Sequence, residues 1–381
     1  MDVRVFSGSA TDVAAELAAL NDVAFATVHA NADTDIAPLQ ALPAPVALHG
    51  ATSCLGAMTQ AGTTAQVAAF ALIDADGAYG TAMRAFAGIP FAAAQEATLA
   101  ALEAADRAGE QPELIWVSAT PGTEEEVLDG IEAVVGKDVP IIGGSAADNS
   151  VAGDWYVFDG HGRQGDGVIV SVLFPSGPVS FAYQNGYAPM AHSGTVTRCD
   201  GRTVQEIDGK PALDVYLDWT GGAVPVDRED TATQSILAES TLTPLGREVA
   251  QVGGVPYYLL AHPAGARTTG EIDLFANVEE GEVLTCMSGT IKGLTDRAGR
   301  VASLAIAAGS LPKSEVKGAL MIYCGGCMLT VQDQIDDVVD GVNAALDGKP
   351  FLGAFTFGEQ GRIVGAGNRH GNLMISCIVF G

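Results

Sequence analysis

The chain has 381 residues, 48% of them apolar, and it carries 46 acidic against 19 basic residues, for a formal net charge of −27. This length and apolar content allow a sizeable core and exclude disorder, whereas the negative charge disfavours nucleic acid and anionic membrane partners. The six cysteines are widely spaced and the sequence has neither a membrane-spanning apolar run nor a signal peptide, so we expect reduced thiols in a cytoplasmic protein.

A strand–helix–strand unit recurs along the chain. A loose copy occupies 23–58, with Pro45 before its second strand. A clear copy begins with the strand ELIWVSA and continues through VLDGIEAVVGKDVPIIGG (127–144), which reads as an amphipathic helix, Pro140 and a strand ending in glycine. The same pattern returns in ALMIYC and VVDGVNAALDGKPFLGA (338–354), with Pro350 in the place of Pro140. Such units predict parallel pairs of strands.

The segments between these copies have a different sequence pattern. Residues 151–186 read as short strands with glycine and proline turns, which predicts a β-meander, and 194–219 read as two strands and a helix that begins near Pro211. We therefore predict a mixed α/β (α+β) protein with two related domains, 1–187 and 188–381. Mixed sheets flanked by helices are expected, with a layered αββα arrangement as one possibility.

Seven motifs, in this order, carry a resemblance to a known family. In the N-terminal half they are GATSCLGAM, LIWVSATPG and PIIGGSAADN, and in the C-terminal half GTVTRCDGRTVQEIDGKPALDVYLDW with CGGCM, PFLGAFTFGEQG and NRHGNLMISCIVF. From about residue 20 to the end, the sequence resembles the FIST family, whose members have a FIST-N region followed by a FIST-C region. The resemblance extends to both predicted domains.

The resemblance implies a small-ligand-binding sensory protein of intracellular signal transduction, with amino acids or their derivatives as ligands. It implies no catalysis and an output through a separate partner, such as a histidine kinase or a cyclase, or through a change in homo-oligomeric state. Some members are haem proteins that sense nitric oxide, so haem is an alternative cofactor here, and any pocket histidine is a candidate ligand. A thiol-dependent enzyme using Cys324 is a further alternative.

Three glycine-rich loops, LHGATSC, IGGSAADN and GAFTFGEQG, each follow a predicted strand. Ligands of α/β folds tend to bind beyond such strand ends, where backbone amides are free, although each glycine is equally explained by a turn. Glu359 or Asp148 could meet an ammonium group. No loop matches a nucleotide-binding pattern. The candidate ligand-binding residues in and near these loops are His49, Thr52, Ser53, Cys54, Ser145, Asp148, Asn149, Thr356, Glu359 and His370.

Cys324, Gly325, Gly326 and Cys327 form a C-x-x-C motif directly after a predicted strand. Packing or pocket lining is the favoured interpretation, followed by a redox pair and then by a metal site. A redox pair would sit at the start of a helix, whereas the predicted helix begins near Val331. A four-thiolate zinc site would need a second C-x-x-C, which the sequence does not contain.

Overall fold

The computed structural model describes residues 1–42 and 46–381, and Pro45 of the loose copy lies outside them. Within the described chain, one topological unit occurs three times. Its order is strand, helix, strand, helix, strand, a short hairpin and a last strand. The first repeat consists of β1 (Asp2–Gly8), α1 (Ala10–Ala19), β2 (Val23–Ala30), α2 (Ala37–Gln40), β3 (Ala47–Thr52), the hairpin β4 (Ala57–Thr59) and β5 (Gly62–Thr64), and β6 (Val67–Ile73).

The second repeat follows the same order with longer helices. It consists of β7 (Ala78–Ala85), α3 (Pro90–Ala104), β8 (Leu114–Ala119), α4 (Glu124–Val135), β9 (Ile141–Ser145), the hairpin β10 (Val157–Phe158) and β11 (Arg163–Gln164), and β12 (Gly167–Phe174).

The third repeat is interrupted after its first strand, β13 (Val179–Asn185), by an insertion of residues 186–290. The insertion consists of β14 (Ala188–Asp200), β15 (Thr203–Ile207), β16 (Lys210–Pro211), α5 (Ala212–Trp219), β17 (Gln234–Ser235), α6 (Leu237–Ser240), β18 (Leu245–Val252), β19 (Val255–Ala261), β20 (Pro263–Ala266), β21 (Ile272–Leu274) and β22 (Val283–Ser288). The repeat then continues with α7 (Ile291–Ala308), β23 (Gly318–Cys324), α8 (Gly325–Thr330), α9 (Ile335–Leu346), β24 (Phe351–Thr356), the hairpin β25 (Glu359–Ile363) and β26 (Gly367–Gly371), and β27 (Met374–Phe380), with 3₁₀ turns at Lys313–Glu315 and Gln332–Gln334.

Each repeat builds one sheet, and the repeats exchange their hairpins. The sheets run β1-β6-β2-β3-β10-β11, β7-β12-β8-β9-β25-β26 and β13-β27-β23-β24-β4-β5, so every hairpin extends the sheet of another repeat. The pairs β2–β3, β8–β9 and β23–β24 are parallel, as the strand–helix–strand units predict. The predicted β-meander at 151–186 is wrong, because β10 and β11 extend the first sheet, β12 lies in the second and β13 in the third.

Helices cover the outside of each sheet, while the inner faces share one core. Phe25 and Phe70 of the first sheet, Trp116 and Leu173 of the second, and Phe380 of the third belong to this core. Helices α1 and α2 pack on the first sheet, α3 and α4 on the second, and α7 and α9 on the third. The predicted mixed α/β class, with mixed sheets flanked by helices, is therefore confirmed.

The Asp-Gly pair that recurs in the sequence lies where two helices cross. A Cβ on Gly130 of α4 would overlap the carbonyl oxygen of Phe91 in α3. In the third repeat, a Cβ on Gly299 of α7 would overlap the carbonyl oxygen of Gly341 in α9. Gly130 and Gly299 therefore allow the two helix pairs to approach closely, whereas a Cβ on the repeated Gly341 would meet its nearest atoms, in α7, at 4.0 Å. The first repeat has only the four-residue α2 at this place, which explains why its sequence copy is loose.

The insertion has its own nine-stranded antiparallel sheet and its own core, in which Leu213, Tyr216 and Leu284 are fully buried. The predicted helix near Pro211 is confirmed as α5. The predicted domain limit of 187/188 falls between β13 and β14. Strands from both sides of that limit meet in the second and third sheets, and the two-domain division remains a prediction.

Candidate functional site

The three glycine loops meet at one point. Contrary to the prediction, each begins within the third strand of a repeat, which contains Gly50, Gly143 or Gly353. An amide just beyond each strand donates to a carbonyl oxygen at the strand end of another repeat. The three bonds are Cys54 N to Phe355 O at 3.0 Å, Ala147 N to Thr52 O at 3.0 Å, and Phe357 N to Ser145 O at 3.2 Å. The convergence of the strand ends that the loops predict is therefore present.

A cavity of about 740 Å³ lies between these strand ends and the insertion. On one side it is lined by Pro121, Gly122 and Glu124 after β8, by Val151 and Trp155 before β10, and by Cys324, Gly326, Leu329, Thr330, Thr356, Phe357 and Gly358 of the third repeat. The other side is formed mainly by the insertion, with Arg202, Ser235, Leu237, Ala238, Glu239, Thr241, His262 and Phe275, and by Asn372. Three of the predicted site residues, Cys324, Gly326 and Thr356, lie in this wall.

The third repeat contributes an uncharged wall. The Thr356 hydroxyl donates to Glu359 Oε1 at 3.0 Å, and the Met374 amide donates to Glu359 Oε2 at 2.9 Å. Burial, together with the neighbouring Cys324, holds the pKa of Glu359 well above its usual range, which favours its neutral form. Glu359 is fully buried behind Thr356 and offers no charge to the cavity.

The C-x-x-C motif is a pair of free thiols at the start of α8. The helix begins at Gly325, so the predicted start near Val331 is wrong. Cys324 is 6% exposed and lines the cavity, whereas Cys327 lies beneath it with its Sγ 3.6 Å from Tyr187 Oη. Burial and the adjacent Cys327 raise the pKa of the Cys324 thiol, which is the opposite of what an activated nucleophile requires.

The second repeat contributes a charged wall that the insertion completes. Arg202 Nη2 lies 2.6 Å from Glu124 Oε2 and 2.7 Å from Glu125 Oε2. Glu124 is 2% exposed and also accepts bonds from the Ser145 hydroxyl at 2.8 Å and the Gly122 amide at 3.0 Å.

Burial alone would raise the pKa of both carboxyl groups. The neighbouring His370 and Arg202 outweigh that effect and lower the pKa of Glu124, and they lower that of Glu125 to about 2. Both groups are therefore ionised at neutral pH.

Two histidines lie near this cavity, one behind its wall and one in the wall itself. His370 lies behind the wall, where its Nδ1 lies 3.2 Å from Gln360 Nε2 and its Nε2 donates to the Phe275 carbonyl at 3.1 Å. His262 lines the cavity and donates from Nε2 to the Leu237 carbonyl at 3.0 Å. Burial lowers the pKa of His262 to about 4, so the ring is neutral and its Nδ1 is the acceptor nitrogen.

Aromatic rings form much of the remaining wall. Trp155 and Phe357 meet edge to face with ring centroids 6.1 Å apart, and His262 and Phe275 do the same at 6.2 Å. Together with Leu237 they give the cavity an apolar body and a small number of polar groups.

The predicted residues of the first glycine loop lie away from the cavity and are satisfied within the protein. His49 Nδ1 lies 2.8 Å from Ser171 Oγ, and its Nε2 lies 3.0 Å from Ser118 Oγ. Thr52 Oγ1 exchanges hydrogen bonds with the backbone of Tyr156, and the Ser53 hydroxyl donates to the Gly56 carbonyl. Cys54 is fully buried, and burial raises its pKa to about 12.

The second glycine loop is organised around Asp148. Its carboxylate accepts backbone N–H bonds from residues 150 to 154, which holds the loop that places Val151 and Trp155 in the cavity wall. With its oxygens occupied in this way, Asp148 is not placed to meet a ligand ammonium group. Asn149 donates to Asn31 Oδ1 at 2.8 Å and accepts from the Leu55 amide at 2.8 Å, so it joins two loops. Ser145 supports Glu124.

Among the histidines at the cavity, the contacts leave Nδ1 of His262 as the candidate for an axial haem ligand. An iron ligand needs a ring nitrogen that is free of other bonds. Both ring nitrogens of His49 and of His370 bond to protein groups, and Nε2 of His262 bonds to Leu237. Within residues 1–42 and 46–381, no group of three or more His, Cys, Asp or Glu side chains is placed to hold a metal ion.

Several cavity residues were not predicted from the sequence. Glu124 directly follows the strand-end loop TPGT and begins a helix with three glutamates in a row, which is a detectable signal at a strand end. His262 follows the apolar strand PYYLLA in the way that His49 follows PVAL, so the same reasoning applied to both would have found it. Arg202 and Phe275 carry no such signal, because only the docking of the insertion brings them to the cavity.

Comparison with known proteins places the chain in a family. The FIST N domain model matches residues 23–210 and the FIST C domain model matches residues 212–362. The chain belongs to the FIST family, whose domains are sensory, small-ligand-binding domains of signalling proteins.

Two individual similarities are more limited. An uncharacterized protein of Methanocaldococcus jannaschii is 33% identical over 99 residues, which are 25% of this chain and 18% of that protein. The chain thus matches less than a fifth of the length of this curated relative. The crystal structure of cyanuric acid hydrolase from A. caulinodans is similar with a TM-score of 0.28 and 13% identity, covering 48% of this chain and 70% of that one. Among the described helices, none is long and apolar enough to cross a membrane.

Proposed function

We propose that this chain is a sensor that binds a small organic molecule in the cavity between the insertion and the strand ends. The cavity itself carries the proposal. Its volume of about 740 Å³ lies within the range of roughly 300–1,000 Å³ that is usual for ligand pockets. Its wall is mostly apolar and aromatic with a few convergent polar groups, which is the usual composition of such sites.

The position of the cavity supports a signalling role. The insertion and the three-repeat body each supply one side of the wall, and Arg202 with Glu124 and Glu125 fastens the two sides together. A ligand that touches both sides binds more tightly when the insertion is closed on the body than when it is open. Its binding therefore shifts the equilibrium between these two conformations. The output passes to a separate partner, such as a histidine kinase or a cyclase, which reads that balance on the outer surface.

The predicted residues Cys324, Gly326 and Thr356 are proposed as ligand contacts on the body side. His262, Phe275 and Leu237 are proposed as contacts on the insertion side. Cys324 contributes a neutral thiol that packs against the ligand, which agrees with the favoured interpretation of the C-x-x-C motif.

Native mass spectrometry tests this proposal. The protein is incubated with the low-molecular-mass fraction of a cell extract, freed of unbound material and measured intact. Leu329→Trp fills the cavity from α8, while Leu99→Trp makes the same change on the outer face of α3. These two leucines are 44% and 49% exposed, so neither substitution disturbs a buried core.

We expect a retained small mass on the wild type and on Leu99→Trp, and its loss on Leu329→Trp. A mass retained equally by both variants would place the ligand elsewhere. A wild type that retains no small molecule would contradict the proposal itself.

A further inference from the structure

Two buried side chains of the cavity wall each present a nitrogen atom that has no partner within the described chain. The first is His262, which is 3% exposed. The Leu237 carbonyl can only accept a hydrogen bond, so the proton of the neutral ring lies on Nε2. Nδ1 therefore presents a lone pair, and among the described residues no group donates to it.

The second is Asn372, which is also 3% exposed. The backbone N–H of His262 can only donate, so the atom of the Asn372 amide that lies 3.1 Å from it is the oxygen Oδ1. Nδ2 is therefore the other end of the amide, a donor for which the described residues supply no acceptor. The same bond ties Asn372 to His262, which makes this donor and the Nδ1 acceptor neighbours on the wall.

Both nitrogen atoms remain in contact with the cavity. Neither of them is among the fully enclosed polar atoms that lack a partner in the described chain, and both residues line the cavity. The ring carbon next to Nδ1, Cε1, faces Gly326 on the body side of the wall. Because an unpaired donor or acceptor is costly in a buried place, a ligand that bonds to both atoms gains from each bond.

Other polar atoms of the buried wall are engaged within the protein. The Thr241 hydroxyl donates to a backbone carbonyl at 2.9 Å, and the Thr356 hydroxyl donates to a carboxyl oxygen at 3.0 Å. The Glu124 carboxylate is held by Arg202 and by two further donors. The two free nitrogen atoms are uncharged, and they favour uncharged ligand groups because neutral dipoles do not offset the cost of removing a charge from water.

Aromatic rings determine the shape that the cavity accepts. Trp155, Phe275 and Phe357 line it, and Phe275 meets the His262 ring edge to face with centroids 6.2 Å apart. Walls of this kind pack well against flat ring systems.

We propose that the ligand is an uncharged, flat lactam, that is, a ring system with an N–H group next to a carbonyl group. The N–H donates to Nδ1 of His262, the carbonyl accepts from Nδ2 of Asn372, and the ring system lies among the aromatic side chains. This inference rests on the proposed function, since it assigns a chemical class to the ligand of the same cavity.

Four probes with nearly the same ring system test the inference by isothermal titration calorimetry. Oxindole carries both polar groups, 1-methyloxindole lacks the N–H, and indole lacks the carbonyl. 5-Methyloxindole keeps both groups and carries the extra methyl elsewhere, so it controls for size. We expect oxindole and 5-methyloxindole to bind about tenfold more tightly than the other two, because each of those loses one hydrogen bond and leaves a buried atom unpaired.

Two variants assign the two hydrogen bonds, and each is the control for the other. His262→Phe keeps an aromatic ring and removes the acceptor, so the preference for oxindole over 1-methyloxindole should disappear while its preference over indole remains. Asn372→Ala removes the donor and should have the converse effect. Exposed His161→Phe should change neither preference. Circular dichroism confirms that each variant is folded, and one folded variant of the pair is sufficient for the test.

Equal binding of oxindole and 1-methyloxindole by the wild type, or no binding of oxindole at millimolar concentration, would overturn the assignment. A Soret band that His262→Phe abolishes, in protein purified with haem available, would also overturn it, because iron would then occupy Nδ1. If indole or 1-methyloxindole binds as tightly as oxindole and Leu329→Trp abolishes that binding, the cavity is still a ligand site and only its selectivity has been misassigned. Loss of the proposed function would instead appear as a wild type that retains no small molecule from the extract.

Discussion

Two polar regions of this protein contain similar residues, but one is packed inside the core and the other borders a cavity. The inner cluster, formed by His29, His49, Trp116, Ser118 and Ser171, lies inside the common core of the three sheets. The cavity lies just beyond other strand ends, outside that core and beneath the insertion. Both regions place a histidine and a hydroxyl group near the carboxyl end of a strand. These are His29 and Ser118 in the inner cluster, and His262 and Thr356 at the cavity. Polar residues at a strand end are therefore equally consistent with a satisfied core and with a binding site.

The two regions differ in the direction in which their polar side chains point and in the part of the chain that covers them. His29 and His49 point inward, where the neighbouring sheets close over them. Glu124 and Cys324 come at or just after the last residue of their strands, where the insertion leaves a cavity instead of a packed contact. The insertion therefore determines which of the equivalent strand ends remain open to a ligand.

The largest effect is expected where the insertion fastens to the body. Arg202→Met would leave the buried carboxylate of Glu124 and the partly buried carboxylate of Glu125 without their cation, and breaking a buried pair costs about 3–5 kcal/mol. Arg228→Met breaks an exposed pair with Asp214 and should cost less than about 1 kcal/mol. Urea unfolding of both variants measures the difference. Equal costs would show that the Glu124–Glu125–Arg202 cluster does not hold the insertion in place.

A smaller effect is expected in the inner cluster. His49→Leu would remove one partner from each of the buried hydroxyls of Ser171 and Ser118, which should cost about 2 kcal/mol of unfolding free energy. Exposed His161→Leu is the control and should change stability by less than about 0.5 kcal/mol. The small mass retained by the protein should be unaffected in both. A His49→Leu protein that keeps its stability and loses the retained mass would reverse the roles of the two regions.

A further expected effect is a dependence of stability on pH. Burial lowers the pKa of His29 and of His262 to about 4, from 6.5 in the unfolded chain. Between those values the unfolded state binds protons that the folded state does not, so stability is greatest above pH 6.5 and falls as the pH falls towards 4. Each histidine contributes a slope of up to about 1.4 kcal/mol per pH unit.

His29→Gln should remove its own share of this slope between pH 6.5 and 5, and exposed His161→Gln should leave the slope intact. His29 is informative because neither ring nitrogen has a hydrogen-bond partner among the described residues. An unchanged slope in His29→Gln would mean that a buried water or a structural opening protonates this ring in the folded state.

The local parts of the fold were predictable, and the long-range parts were not. The apolar period of helices such as α9, and the glycines within β9 and β24, predict the strand–helix–strand units because these signals are contained in a few neighbouring residues. The exchange of hairpins between repeats is different. Strands as short as β10 and β11 carry little sequence signal, and their partner β3 lies about 100 residues away.

The site was predictable to a similar extent. The glycine loops, which the sequence predicts to contribute to a ligand site, are joined at their strand ends by a ring of backbone hydrogen bonds, and of their predicted residues Thr356 lines the cavity. Which loops face a ligand depended on the insertion, whose docking is set by contacts such as that of Asn277 N with Glu125 Oε1 at 2.8 Å. No pattern within a window of sequence encodes that contact, so Arg202 and Phe275 could not be assigned in advance.

Hydrogen–deuterium exchange of the wild type, with and without the low-molecular-mass fraction of a cell extract, tests the central claim most directly. Ligand bound in the cavity should slow exchange in the segments around Gly122, Leu237, His262 and Phe357, and leave the strand around His49 unchanged. Protection confined to the strands of the inner cluster, with unchanged exchange at the cavity, would contradict the account.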